Sequence, residues 1–116
     1  EYLADEKLGH DFIVNGVKID IKSKNCTSQP RSHYTAHVKK TQKDYDADLY
    51  VFARVSPSQV WLCGYMDKSL FWTTDKASDI KQGQFADGIV QHADSRSLQL
   101  HFLQPMTDLL PQLTGR

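Results

Sequence analysis

The sequence predicts a single α/β domain over residues 1–116, with a mixed central β-sheet flanked by helices. Three observations carry this. Alternating apolar residues surround Asn15-Gly16, the dipeptide favoured where both central residues of a type I′ hairpin turn need positive φ. Two runs within residues 48–66, rich in aromatic and β-branched residues, are apolar on both faces in places, as strands covered from both sides are. Candidate helices stand near the two ends of the chain.

The first of these helices is Glu1–Leu8, where Leu3, Ala4 and Leu8 make a weak apolar stripe and Gly9 is suited to end it. In the hairpin that follows, Val17, Ile19 and Ile21 share one face and Lys18, Asp20, Lys22 and Lys24 the other, so one face is read as core and the other as charged. Residues 25–32 are polar and breaker-rich, a loop bordering the hairpin. A third strand is predicted at His33–Val38, where Tyr34, Ala36 and Val38 alternate with His33, Thr35 and His37. The histidines are better suited to polar contacts at a groove edge than to a metal, because no acid or cysteine adjoins them. Lys39–Asp46 reads as short helical or irregular. A second hairpin joins Asp48–Val55 to Gln59–Met66 through Ser56-Pro57-Ser58, and Trp61 within it is read as core rather than as a stacking platform. Asp67–Trp72 is one or two helical turns, and residues 73–97 are polar, with loops and short strands. Leu98–Leu103 alternates as a strand. Met106, Leu109, Leu110 and Leu113 then recur at helical spacing, with Pro111 as a kink or stop, a tail suited to covering the sheet or pairing two subunits in a homodimer.

At 116 residues the chain can bury one core without staples. No apolar run approaches the roughly 20 residues needed to span a bilayer, so no membrane partner is expected. Cys26 and Cys63 form no C-x-x-C pair, which argues against a zinc site or disulfide framework and for a reducing, cytoplasmic setting. Glu1 is not a methionine, which leaves the natural start open. Formal net charge is zero, but its distribution is uneven: −3 over residues 1–17, +6 over 18–43 and −3 over 44–116. Lys18, Lys24, Arg31, Lys39, Lys40 and Lys43 lie in the positive segment, which follows directly on the hairpin and suits a phosphate backbone.

Closing the hairpin at Asn15-Gly16 brings Asp11 beside Asp20 and Lys22. Two carboxylates a few ångströms apart repel unless a cation lies between them, and hard oxygen donors suit Mg²⁺ or Mn²⁺. An acid, a hairpin, then an acid, one hydrophobic residue and a lysine resembles the active-site motif of the PD-(D/E)XK nuclease superfamily, matched here by Asp11, Asp20 and Lys22. A second Asp-x-Lys triplet, Asp5-Glu6-Lys7, lacks the alternating strand. His10 stands where the family usually has proline. The runs Asp48–Phe52 and Val60–Tyr65 are similar to the continuation in small phage-type members, so the resemblance covers residues 1–66 best.

The resemblance implies a restriction-endonuclease-like core and a Mg²⁺-dependent deoxyribonuclease. Asp11, Asp20 and the Ile21 backbone carbonyl would bind the metal, joined by a helix acid, Glu1 or Glu6, and Lys22 would orient or activate water. Gln42 falls after the lysine strand, where some members carry a glutamine, although its spacing to Tyr45 departs from their longer motif. The competing reading is a catalytically silent nucleic-acid-binding domain of the same fold. Retention of Asp11, Asp20 and Lys22 argues against it, since a pure binder gains nothing from acids facing phosphates.

Overall fold

The computed structural model describes residues 10–31, 33–86, 89–109 and 111. Asn15 and Gly16 have φ of 50° and 80°, the two positive values that a type I′ turn demands. They close β1 (Phe12–Val14) onto β2 (Val17–Asn25) in antiparallel register, Val14 opposite Val17. β2 runs well past the end of β1. Its other edge pairs in parallel with β4 (Leu49–Val55), from Ile19 opposite Leu49 to Asn25 opposite Val55. β4 then turns at Ser56-Pro57-Ser58-Gln59 into antiparallel β5 (Val60–Asp67), and the Gln59 N–H donates to the Ser56 Oγ at 3.1 Å. The first sheet therefore has the order β1-β2-β4-β5.

Parallel strands need a long crossover, and the connection from β2 to β4 contains β3 (Thr35–Lys39). β3 joins a second sheet of order β3-β9-β6, with β9 (Ser95–Gln99) central and β6 (Ser78–Ile80) at the far edge. Two short strands, β7 (Phe85–Ala86) and β8 (Ile89–Val90), pair with each other. The described residues include α1 (Lys68–Thr73) and 3-10 turns at Lys40–Gln42, Leu100–Phe102 and Met106–Asp108, and Leu109 and Pro111 are also α-helical.

Each face of the first sheet is buried by a different partner. Tyr50, Phe52 and Met66 pack against Ala36, Val38 and Leu98 of the second sheet, with Phe71 of α1 completing the cluster. On the opposite face Ile19, Leu49, Val51 and Tyr65 are covered by Met106 and Leu109.

This corrects the expected architecture. The described residues are mostly β, two larger sheets packed together beside a small two-stranded one, and not a sheet flanked by helices. The doubly apolar β4 needed cover on both faces, and that requirement does not say what supplies it. The second sheet and Phe71 of α1 do so on one face, and Met106 and Leu109 on the other. The strand expected at Leu98–Leu103 lies earlier, and Leu100–Phe102 turns as a 3-10 helix with Leu100 buried. Trp61, expected in the core, is only half-buried. The expected helix Glu1–Leu8, and Leu110 and Leu113 of the tail, lie outside the described residues.

Gly64 fixes the tail on the sheet. It lies beside the irregularity in β4–β5 pairing between Phe52 and Ala53, with φ of 148°. A Cβ there would come within 2.7 Å of the Leu103 Cβ and 2.8 Å of the Gln104 carbonyl oxygen. Beside it, Tyr65 and Gln104 exchange backbone hydrogen bonds at 3.0 and 2.9 Å. Gly64→Ala combines an unfavourable φ with a clash against backbone, so it should destabilise by about 2–4 kcal/mol. A urea midpoint unchanged from wild type would contradict this packing.

Candidate functional site

Side chains alternate along a strand, and registered residues of parallel neighbours point to the same side. Asp20 opposite Tyr50 and Lys22 opposite Phe52 therefore share the face that packs on the second sheet. The face of β2 expected to be merely charged is the one turned toward the larger core. Asp20 is consequently only 8% exposed. Lys22 Nζ lies 2.9 Å from Asp20 Oδ2, donates also to Gln42 Oε1, and sits 5.9 Å from the centre of the Tyr50 ring. The Tyr50 hydroxyl accepts from Trp72 Nε1 at 2.9 Å, which ties this ring to α1. Burial pushes the Tyr50 phenol up, with the Asp20 charge adding to the effect.

Asp11 arrives from the other side of β2. Its N–H donates to the Ile19 carbonyl and its Oδ2 accepts from the Ile21 N–H, both at 2.8 Å. Because the N–H and C=O of one strand residue point the same way, the Ile21 carbonyl also faces this side, beyond Phe12, the first residue of β1. Burial raises the Asp20 carboxyl above the ordinary carboxylate range. The Lys22 ammonium opposes that rise, and the like charge of Asp11 and a hydrogen bond between the two carboxyls add to it. The two acids are thus neighbours.

The donors here are hard oxygens, two neighbouring carboxylates and a backbone carbonyl on the same edge of β2, the donor type that Mg²⁺ or Mn²⁺ takes. Among the described residues no group of three or more His, Cys, Asp or Glu side chains is placed to hold a metal. Glu1 and Glu6, the acids expected to complete the set, lie outside the described residues.

A cavity of about 390 Å³ opens beside Lys22, lined also by Ile21, His37, Lys39, Gln42 and His92. A neighbouring one of about 220 Å³ continues along β2 to Lys24 and Thr35. The basic segment does not act as one patch. Lys24 and Lys39 line this cleft. Lys18 pairs with Asp46 at 2.6 Å, which raises the lysine and lowers the acid, and its N–H donates to Asp48 Oδ2. Lys40 stands 3.8 Å from Asp79, Lys43 lies over the Trp72 ring, and Arg31 lines a separate pocket with Trp61. Sequence reasoning singled out Trp72 only as a possible stacking platform for bases, and did not single out Tyr50, Gln91 or His92, which the fold brings to the site. Only Tyr50 had a usable signal, its apolar strand beside the Asp20 strand.

Comparison with protein-family models, with characterised proteins and with solved structures finds no match.

Proposed function

We propose that this chain is a divalent-metal-dependent DNA nuclease hydrolysing phosphodiester bonds. The observation that carries the reading is Asp20: a buried carboxylate beside a second carboxylate and in contact with Lys22, which itself lines a cleft together with Lys39. Such a group is costly unless it has work to do. Asp11, Asp20 and the Ile21 carbonyl would hold Mg²⁺ or Mn²⁺, which supplies charge stabilisation at the scissile phosphate. Lys22, held between Asp20 and Gln42, points its ammonium at the same place and orients the attacking water. Tyr50 and Trp72 brace the lysine from below. The unpaired thiols of Cys26 and Cys63 suit a reducing compartment such as the cytoplasm. No helix among the described residues is long and apolar enough to cross a membrane.

The test is incubation of the protein with linear, supercoiled, branched and single-stranded DNA in Mg²⁺, Mn²⁺, Ca²⁺ or EDTA. Cleavage is expected with Mg²⁺ or Mn²⁺ and poorly with Ca²⁺, whose looser coordination activates water less. Full activity in EDTA would reject the metal role. Salt-dependent DNA binding without cleavage in any metal would identify the silent binding domain instead.

The cleft also makes a prediction for its rim. Lys39→Glu should weaken DNA binding at low salt and reduce the slope of log K against log salt by roughly one to two, because fewer counterions are released. Lys18→Glu should alter it less, since Lys18 is already paired with Asp46. Equal effects of the two would place the DNA elsewhere.

A further inference from the structure

The alternation that sets Asp20 and Lys22 on the inner face of β2 continues to Lys24, and that of β4 runs from Tyr50 and Phe52 to Arg54. The parallel register places Lys24 opposite Arg54 at the open end of the sandwich. Arg54 is only 8% exposed, yet among the described residues no carboxylate pairs with it. Its Nη2 donates to the Thr35 carbonyl at 2.7 Å and its guanidinium lies 5.4 Å from the centre of the Tyr34 ring.

A guanidinium carries five N–H donors, and burying it without an anion is unfavourable. None of its nitrogens is sealed without a partner. The donors not spent on Thr35 therefore open into the cavity that Arg54 lines, about 420 Å³, together with Lys24, Thr27, Ser28 and His33. No acid is among its lining residues. Two cationic side chains, two hydroxyls and an imidazole around a polar hollow form a complementary set for a phosphate group, which a planar guanidinium binds by paired hydrogen bonds.

We propose that this cavity is a second phosphate-binding subsite, which holds a non-scissile phosphate of the nucleic acid cut at Asp20. This rests on the nuclease reading of the cleft. Lys24 is four steps along the strand from Asp20, roughly 13 Å at ~3.3 Å each. That is the span of a few nucleotides of one strand at ~3.4 Å of rise apiece. The cavity lined by Lys22 shares Lys24 and Thr35 with the one lined by Arg54, and Lys22 contacts Asp20. The phosphate could be an internal diester or a terminal monoester, since both present the same oxygens.

The full-length chain, ¹⁵N-labelled and in EDTA, is titrated with inorganic phosphate, with sodium chloride at matched ionic strength as control. The Arg54 Nε–H signal and the Thr27 and Ser28 amides should shift and saturate in wild type and in Asp20→Asn, and fail to do so in Lys24→Gln and Arg54→Gln. Lys24 is exposed, so its variant keeps the test decisive if Arg54→Gln does not fold. Single-stranded oligonucleotides carrying 5′-phosphate or 5′-hydroxyl identify the source. A preference of roughly tenfold for the phosphorylated end, lost in Lys24→Gln, marks a terminal monoester. Equal affinities, both weakened by Lys24→Gln, mark an internal diester. Absence of phosphate-specific shifts at Arg54, Thr27 and Ser28 overturns the subsite, whatever the cleavage assay shows. Saturable shifts in a protein that cuts no DNA would leave the subsite standing and reject the nuclease reading alone.

Discussion

Asp20→Asn should abolish cleavage while leaving the metal-free protein at least as stable as wild type. The activity loss should reach about a thousandfold or more, because the several kcal/mol of transition-state stabilisation from a metal ion depends on its charged ligands. Stability should move the other way. Asparagine preserves the volume, its carbonyl oxygen can still accept from Lys22, and Lys22 keeps Gln42 as a second acceptor. What disappears is a carboxylate whose charged form is disfavoured by burial and by Asp11.

The pH dependence follows from the direction of that shift. The folded-state pKa of Asp20 is raised above its unfolded value, so between the two values the native state binds more protons than the unfolded one. Stability of the metal-free wild type therefore falls as pH rises through this window, from the ordinary carboxylate value near 3.8 to the raised folded one. Below the window the penalty is absent, and above it the penalty is complete. Melting curves in EDTA across this range should separate wild type from Asp20→Asn as pH increases, with the variant the more stable. Divalent metal should then stabilise wild type more than the variant. A variant that melts lower at every pH and still cuts DNA below its transition would make Asp20 a structural partner and reject its role as a ligand.

Phe71→Ala should be the most damaging change to the fold, with an expected loss of about 3–5 kcal/mol. Phe71 has 0% exposure and lies within 5.5 Å of the Tyr50 ring centre, 5.7 Å of Phe52 and 5.4 Å of Trp72. It is the buried residue of a helix of six residues. A helix so short has no stability of its own in water and persists through its packing. Removing the ring leaves a cavity between the two sheets and loosens α1. That loss approaches the whole stability of a typical domain, about 5–15 kcal/mol, so part of the population should be unfolded at ambient temperature. The change also reaches the site. Trp72, next in sequence, holds the Tyr50 hydroxyl, and Tyr50 lies beneath Lys22. Urea titration in EDTA, followed by tryptophan fluorescence, measures the loss. A change below about 1 kcal/mol would mean that α1 does not anchor the core as described.

By itself the sequence determined the features that depend on neighbours along the chain. Asn15-Gly16 dictated a turn with two positive φ values and hence a two-residue hairpin, and the aromatic and β-branched runs on either side of Ser56-Pro57-Ser58 dictated the second hairpin. Alternation along β2 put Asp20 and Lys22 on one face, and the short reach of the first hairpin set Asp11 at its open end. Tertiary structure decided everything that depends on pairing across long separations. The parallel β2–β4 register buried Asp20 against Tyr50 and set Arg54 beside Lys24, although 30 residues separate each pair, and no local pattern encodes such a register. The apolar faces of β4 and β5 required cover. The second sheet supplied it on one face with Phe71 of α1, and Met106 and Leu109 on the other, through pairings between distant segments that alternation within one strand does not reveal. The basic segment reads as one patch of +6 only while its partners are out of sight. Folding brings Asp46 to Lys18 and Asp79 to Lys40, and leaves Lys24 and Lys39 facing the cleft, because electrostatic partners are chosen by distance in space and not along the chain.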